Sequence, residues 1–462
     1  MTDTPSTRRR RKALLVALGA TLTSIALAYV PLPTARALVG SLTPQAWPNV
    51  GLLALGLTPL LAAFQLVELA ALAVPRWRAL RIGDAAARAK LTRVALFIGF
   101  AIAAVQAYSV VVWIESYHYS QPGLATRASF GWGPRLYGMG LLLLGVALLV
   151  LLAALIRRYG LGEGYSWILV GSLTPSVGVT LISAGNHVSI GQRKPIAVLV
   201  EILVLVALFV AARRYLRDSA ARAHDDPLRP REPTAGILPP AWAVQLLMLP
   251  VTLANLANLD LGRIGLGALF ARLTPGTPFY TGAWLSVTAG VSLVLSRLFL
   301  RPHNVARGFA ELGVAFDGAA FAERRRAAVL RSTLLVCTLP LLSYALSRFV
   351  TGGAPSISLV AVVVAAAVFE DIAEEWRGRR ILGGIEEPLL SMSRVYRVAP
   401  ARARLRERGI DCFVRGAHHR TLLSFFGPFI PITLFVRARD VNAAREALAP
   451  AATETPVPAA DR

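Results

Sequence analysis

Side chains that could carry out chemistry are few and scattered along this chain of 462 residues. His418 and His419 are adjacent, and in a strand neighbouring side chains point to opposite faces, so they do not predict a shared metal ion. The two cysteines, Cys337 and Cys412, are too few for a disulfide framework and lack metal-site spacing. The sequence contains no Walker loop, dinucleotide fingerprint or catalytic triad. It therefore predicts a protein that is not an enzyme and that uses no cofactor.

One segment, Gly160-Leu161-Gly162-Glu163-Gly164, has the glycine content of a phosphate-binding loop. Loops of that kind lie between a strand and a helix. This segment lies instead between two apolar runs, each too long for a strand. Phosphate binding is therefore not expected at this segment.

The composition shows which elements must position any functional site. Hydrophobic residues make up 55% of the chain and charged residues 16%, whereas about a quarter of the residues in soluble domains are charged. The mean hydropathy is +0.56. These values exclude an ordinary soluble enzyme and a collagen-like, disordered or disulfide-rich secreted protein. They predict an all-α polytopic membrane protein.

A bilayer requires about 20 consecutive apolar residues per helix. The first apolar run is longer than the core of a signal peptide and is not followed by a clear cleavage site, so we expect it to be retained. The ten runs that meet the length criterion are residues 13–33, 50–73, 94–114, 137–156, 166–184, 196–213, 238–258, 279–299, 330–348 and 355–372.

Basic residues predict the orientation of these spans. The basic arm 1–12 and the loops around the ends of spans two, four, six and eight, all on one side of the membrane, carry 26 Arg and Lys residues, and the opposite loops carry seven. Cytoplasmic loops are enriched in such residues, so both termini are predicted to face the cytoplasm. The net charge of +23 is thereby explained by membrane topology, and no nucleic-acid partner is expected.

Glycine and proline interrupt two of the spans. Broken helices at membrane depth are tolerated only against protein or a water-filled cavity, so these positions favour a pore over ordinary proline-containing helices. The interrupting residues are Gly56 and Pro59 within the second span and Gly236, Pro239, Pro240 and Pro250 near or within the seventh.

Five segments resemble, in the correct order, motifs of SecY, the channel subunit of the bacterial protein translocase. The resemblance extends from residue 13 to about residue 390. The matching segments are residues 54–63 in span two, 160–166 before span five, 235–254 in span seven, Asn304-Val305-Ala306 with Leu312-Gly313 after span eight, and Gly352-Gly353 with Ser356 before span ten.

This resemblance implies a fold and a function. The fold is two five-helix halves, residues 13–184 and 185–390, in inverted orientation around a central pore. The function is export of unfolded polypeptides and lateral release of membrane segments into lipid. The implied partners are unfolded preproteins, signal sequences, membrane lipid and SecE-like and SecG-like subunits. The SecA motor or a ribosome would be a further partner.

Some loops depart from the SecY pattern. The Arg-Ile-Pro-Val element after span six is absent, and the loop after span eight keeps only Phe316-Asp317-Gly318 and a basic run. These loops are where the family docks SecA and the ribosome. The sequence therefore supports the pore more strongly than the docking surface, which indicates a divergent or specialised member.

The resemblance also implies specific site residues. Residues 34–49 correspond to the plug. The lateral gate would include Glu68, at a position usually occupied by glutamine, with Gln106, Thr252 and Asn255 as partners across the seam; the alternative is that Glu68 simply reaches the membrane surface. The pore ring would consist of Leu57, Leu61, Leu169, Leu173, Ala241 and Leu359, with Trp242 compensating for the small Ala241.

The tail differs in composition from the rest of the chain. Residues 391–450 predict a small cytoplasmic α+β module, and residues 451–462, rich in alanine and proline, predict a disordered end. We expect strands at 394–398, 412–415 and 432–436, and helices at 401–408 and 441–448.

Two other classes of function remain open from the residues alone. A secondary transporter of a small solute would have an internal repeat and polar residues meeting at mid-membrane, but the mid-span residues are mostly apolar. A membrane-anchored signalling protein acting through its tail would leave the ordered pore motifs unexplained.

Overall fold

The computed structural model describes residues 5–35, 48–82, 85–120, 131–191, 193–256, 272, 277–351, 358–383, 385–426 and 430–449. The chain is mostly helical. Its first half contains α1 (Pro5–Ala28), α2 (Thr58–Ala73), α3 (Pro75–Ile82), α4 (Ala85–Ser120), α5 (Trp132–Tyr159) and α6 (Gly164–Ser189).

The second half of the helix bundle contains six further helices among the described residues. A π-helical turn, Leu346–Thr351, directly follows the helix that ends at Ala345. The helices are α7 (Pro195–Asp225), α8 (Leu238–Leu256), α9 (Pro278–Phe299), α10 (Pro302–Ala310), α11 (Gly318–Ala345) and α12 (Leu359–Ile381).

A helix overlaps each of the ten predicted spans. Among the described residues, six helical segments are long and apolar enough to cross a membrane, and a seventh counts if α2 and α3 form one span bent by 112°. The apolar part of α8, Leu238–Pro250, is shorter than a full crossing. The fold is therefore that of a multi-pass membrane protein, and the number ten stays a prediction.

The predicted break in span two lies at the start of a helix. Residues 52–57 form turns, Gly56 has φ of +55°, and Pro59 lies in the first turn of α2. The interruption thus precedes the helix, and Pro59 fits the first helical turn, where its missing N–H is not needed.

Span seven repeats this arrangement. Gly236 has φ of +71°, and Pro239 and Pro240 lie in the first turn of α8. Pro250 lies inside the helix, as the sequence predicts. A left-handed glycine followed by proline in the first helical turn thus occurs at the start of α2 and again at the start of α8.

The tail forms a three-stranded antiparallel sheet with helices. The strands β1 (Glu386–Met392), β2 (Cys412–Arg415) and β3 (Ile432–Arg437) lie in the order β1-β3-β2. The helices are α13 (Val398–Glu407), α14 (Ala417–Leu422) and α15 (Val441–Leu448). We call residues 386–448 the tail module.

The structure confirms the predicted strands at 412–415 and 432–436 and the helix at 441–448. The strand predicted at 394–398 is wrong: Val395–Arg397 is a 3-10 turn, and α13 begins at Val398 with Pro400 in its first turn. The strand that pairs with β3 is Glu386–Met392. The histidines at 418 and 419 lie in α14 and not in a strand.

The tail module contributes to two apolar cores. One core lies within the module, around Met392, Leu405 and Leu434. The other is the main core of the helix bundle, which also contains residues 422, 423, 425, 426 and 430 of the tail. The module is therefore packed into one end of the bundle, which we call the module end.

Candidate functional site

Three predicted ring residues line one cavity in the bundle. Leu57 at the start of α2, Leu61 one turn later and Leu169 on α6 lie in the wall of a cavity of about 420 Å³. The turn that precedes α2 also lines this cavity, through Gly56. The interruption of span two and these ring leucines therefore belong to the same site.

The other ring candidates have different surroundings. Leu359, the first residue of α12, is buried in the main core, and Trp242 packs against that core. Leu173 on α6 is half-buried, and Ala241 is exposed in the first turn of α8. The structure thus brings Leu57, Leu61 and Leu169 together and does not place Ala241 in the wall of their cavity.

Glu68 on α2 is paired with a residue that sequence reasoning did not select. Its carboxylate accepts bonds from the guanidinium of Arg81 on α3, with Nε 2.7 Å from Oε1, and both side chains are almost fully buried. The predicted partner Gln106 lies on α4 and makes no hydrogen bond with its side chain among the described residues. Thr252 and Asn255 lie on α8, and their side chains are outside the described residues, as are residues 36–47 of the predicted plug, 34–49.

The interruption of span seven is in direct contact with the tail. Ile237 donates its backbone N–H to the carbonyl oxygen of Leu422 at 2.9 Å. A Cβ atom added to Gly236 would lie 2.2 Å from that same oxygen. Glycine is therefore required at 236 both by its positive φ and by the close approach of the tail backbone.

The glycine-rich segment before α6 binds a carboxylate of the protein itself. Gly162, with φ of +81°, donates its N–H to Glu375 at 2.7 Å. Gly164 lies where a Cβ would be 1.8 Å from the carbonyl oxygen of Ala153 on α5. The glycines thus allow a tight turn between α5 and α6. The anion bound by this turn is the carboxylate of Glu375 on α12.

Four carboxylates at the end of α12, Glu370, Asp371, Glu374 and Glu375, each have partners. We call them the acidic segment. Glu370 binds Arg213 on α7 at 2.7 Å. Asp371 accepts the backbone N–H groups of residues 418 and 419, at 2.9 and 2.6 Å.

The other two carboxylates of the acidic segment also reach the tail module. Glu374 binds His418 at 3.1 Å and Arg402 at 3.0 Å. Burial alone would raise the pKa of Glu374, but the hydrogen bond and charge of His418, with Arg402 and Arg231, lower it to about 2. Glu375 is fully buried and accepts bonds from Arg415 at 2.6 Å, as well as from Arg379 and Gly162.

Aromatic residues of the tail fill the module end between the acidic segment and α2. Phe426 packs edge-on against Phe64 of α2, with ring centroids 5.7 Å apart, and stacks on His419 at 5.2 Å. Burial lowers the pKa of His419 to about 3, so this imidazole is neutral at pH 7. Phe425 is buried beside Phe426, and Phe64 in turn contacts Tyr165 at the start of α6.

Sequence reasoning did not identify the tail aromatics or the partners of the acidic segment. The available signal was four carboxylates within six residues, directly after an apolar run, since so many charges rarely stay buried unless they are paired. Among the described residues, no group of three or more His, Cys, Asp or Glu side chains is arranged to hold a metal ion.

Comparison with known proteins gives consistent results. The SecY family model matches residues 51–368, well over half of the chain. The protein translocase subunit SecY of Synechocystis sp. is 24% identical over 293 residues, covering 58% of this chain and 64% of that protein, just under two thirds of its length. SecY of Rickettsia conorii is 22% identical over 313 residues, covering 64% and 71%.

Solved structures share the fold. A structure that concerns the plug domain of SecY and the closed state of the translocation channel has a TM-score of 0.50 at 12% identity, covering 80% of this chain and 93% of the other. A structure of a protein-conducting channel gives the same values. The helix bundle, its paired interruptions and the extent of the family match together show that the chain belongs to the SecY family.

Proposed function

We propose that this chain is a protein-conducting channel that passes unfolded polypeptides across a membrane and releases apolar segments sideways into lipid. The observation that carries this function is the SecY match over residues 51–368. The clustering of Leu57, Leu61 and Leu169 around one cavity supports it. Such a channel makes and breaks no covalent bond, so energy must be supplied by a partner.

The pore ring would consist of Leu57, Leu61, Leu169, Leu173, Ala241 and Leu359. A narrow apolar ring excludes water and ions when empty and deforms around a peptide. Trp242, which packs against the main core, would supply the bulk that Ala241 lacks. A solute transporter is less well supported, because the family match over residues 51–368 is to SecY and the mid-span residues are mostly apolar, although the wall of this cavity also includes Asn49, Thr58 and Ser172.

The module end would face the cytoplasm. The loops at this end carry most of the basic residues of the chain, and such residues are enriched on the cytoplasmic side. SecE-like and SecG-like subunits would bind the bundle within the membrane. Docking of SecA or a ribosome would have to accommodate the tail module, which occupies this end.

The tail module would act as a cover on the cytoplasmic opening. Phe425 and Phe426 are buried against the first half of the bundle, while Leu422 binds the start of α8 in the second half. A polypeptide entering between the halves would have to displace these residues. The lateral gate would lie between spans two and three on one side and seven and eight on the other, close to Glu68, Gln106, Thr252 and Asn255.

Site-specific photo-crosslinking tests the channel. A crosslinker is placed at position 57 or 169, and at Leu151 as the control, since Leu151 is 64% exposed on the outer surface of α5. With a translocating polypeptide arrested in the membrane, we expect crosslinks at 57 and 169 and none at 151. Equal yields at all three positions, or none at any, would contradict the proposed pore.

A second experiment tests the cover. Replacing Phe426 with alanine removes its contacts with Phe64 and His419, so the crosslinking yield at position 57 should rise. The matched control is Phe97→Ala, because Phe97 is 76% exposed on α4. An unchanged yield in the Phe426 variant would show that the tail does not obstruct the pore.

A further inference from the structure

A cavity of about 70 Å³ lies at the seam between the tail module and the helix bundle. Its wall includes Arg81 of α3 and Arg231 of the loop before α8, both from the bundle. The tail module contributes Arg394 and Arg420 to the same wall. Four arginines from three separate segments thus surround one small space, and the residues that line it include no carboxylate.

Several hydrogen-bond donors at this cavity have no acceptor. Arg231 and Arg394 form no hydrogen bond or ion pair with any other described residue. Arg420 uses its two Nη atoms to bind carbonyl oxygens of residues 393, 423 and 424, but its buried Nε has no partner. The buried hydroxyl of Ser424 is also without a partner. Buried polar atoms are normally paired, so the buried Nη1 of Arg231, Nε of Arg420 and hydroxyl of Ser424 indicate a missing acceptor.

The charge balance favours an anionic acceptor. Glu68, the carboxylate that acts electrostatically on Arg394 and Arg420, is already bound by Arg81. Glu374 and Asp371, which act on Arg231 from a distance, are bound by His418, Arg402 and backbone N–H groups of the tail. Burial, together with the neighbouring arginines, lowers the pKa of Arg394 to about 10 and that of Arg420 to about 9. Both groups therefore still carry a positive charge at neutral pH, and no negative charge in the described residues balances Arg231 or Arg394 by direct contact.

We propose that this cavity binds a phosphate group, carried either by a soluble anion or by the headgroup of an anionic phospholipid. Guanidinium groups bind phosphate oxygens in a bidentate manner, and a tetrahedral anion can accept bonds from donors on several sides at once. The volume admits one group of that size and excludes a nucleobase or a sugar beside it.

The location of the cavity is compatible with both sources. Phe299 and Leu300, at the end of the apolar helix α9, form part of its wall. The site therefore lies level with the end of a predicted span, where lipid headgroups are found. The bound phosphate would contact Arg231 of the bundle and Arg394 of the tail module together, and would thereby hold the module against the bundle.

The test uses the full chain and two probes. Protein that has been stripped of lipid in detergent is titrated with inorganic phosphate. In a second experiment, the protein is placed in nanodiscs of phosphatidylglycerol or phosphatidylcholine. It is then released from the nanodiscs, and the lipid molecules that stay bound to it are counted by native mass spectrometry. Binding of phosphate at a single site indicates a soluble anion, and selective retention of phosphatidylglycerol indicates a headgroup.

Arg394→Gln and Arg231→Gln are the test variants, because neither side chain bonds to the described protein and both variants should fold. Each should weaken the probe that binds the wild type by about tenfold or more, since hydrogen bonds to charged groups contribute about 1.5–3 kcal/mol. Arg439→Gln is the control, because Arg439 is 75% exposed on the tail module and contacts Asp440.

The outcomes separate clearly. Loss of binding in both test variants, with wild-type binding in the control, supports the site. If neither probe binds the wild type, or if binding does not change when both Arg394 and Arg231 are replaced, the proposal is wrong. Unfolding curves of all variants show whether a loss of binding is due to misfolding. If one test variant is misfolded, binding by the other variant, which is folded, tests the proposed site.

Discussion

The leucine cavity and the module end are held together in different ways. Around Leu57, Leu61 and Leu169 the contacts are apolar and non-directional, so other side chains of similar volume satisfy them. At the module end, Glu68 and the acidic segment are buried with particular donors at 2.6–3.1 Å. The apolar wall therefore depends on a class of residue, and the module end depends on individual atoms.

The largest effect is expected at Glu375, the most connected carboxylate of the acidic segment. Replacing Glu375 with glutamine removes the anion that binds Arg415 and one of the two anions that bind Arg379, the other being Glu386. Breaking a buried ion pair typically costs about 3–5 kcal/mol. The measurement is thermal unfolding of the purified protein together with protease sensitivity of the tail. Glu387→Gln, on the exposed part of β1, is the control; equal stability of the two variants would show that the module end is not held by its charges.

Replacing Glu163, which precedes α6, is expected to increase the stability of the protein, whereas replacing Glu375 decreases it. Burial is the main cause that raises the pKa of Glu163 to about 7, with Arg157 and Arg415 opposing it and Glu375 and Asp371 adding to it. Because the pKa is raised in the folded state, the carboxyl group reduces stability as the pH rises from about 4.5 through 7. Glu163→Gln should therefore stabilise the protein at pH 8 by up to roughly 3 kcal/mol.

The same Glu163→Gln variant should have little effect at pH 5, where the carboxyl group is protonated in the folded protein. Unfolding temperatures of wild type and variant at pH 5 and pH 8 provide the comparison. A benefit that is the same at both pH values, or larger at pH 5, would contradict a buried and ionising carboxyl group at this position.

A smaller loss of stability is expected from a substitution at Gly236, where the tail backbone contacts the bundle. Gly236→Ala forces a Cβ towards the Leu422 carbonyl and strains a left-handed residue, at a cost of about 1–3 kcal/mol. The tail should become more sensitive to protease. Gly56→Ala is the matched control: it has a similar positive φ but no atom within 4 Å of the added Cβ, so its tail should stay protected.

The smallest effect is expected in the cavity wall. Leu57→Met keeps volume and apolar character, and such exchanges usually cost less than about 1.5 kcal/mol. Unfolding temperature and crosslinking of a translocating polypeptide at position 169 should both remain near wild type. A loss as large as that of Glu375→Gln would remove the distinction between a tolerant wall and a specific module end.

The elements that the sequence predicted well depend on local pattern. Each long apolar run coincides with a helix, and Ile432–Arg437, rich in branched and aromatic residues, forms a strand. Residues 394–398 show the limit of such patterns. Val395, Tyr396 and Val398 are residue types common in strands, but β3 already has a partner on each side, β1 and β2, and the segment forms a 3-10 turn that leads into α13.

The site was predicted less completely than the fold. Leucines at 57, 61 and 169 were selected by motif register, and the structure places them in one cavity wall. For Glu68 the sequence suggested polar partners across a seam, whereas the folded chain supplies Arg81, thirteen positions later. Leucine is common in every span and polar residues are few, so neither their identity nor their spacing indicates which ones meet.

By itself the sequence determined the membrane class, the positions of the helices and the family of this protein. It could do so because a run of about 20 apolar residues has one favourable state in lipid, in which its backbone hydrogen bonds close within the helix. Only the tertiary structure decided which buried charges are neutralised and where the tail lies. Gly162 and Glu375 are 213 positions apart, and a hydrogen bond over that separation depends on how the whole bundle packs, because no local pattern specifies it.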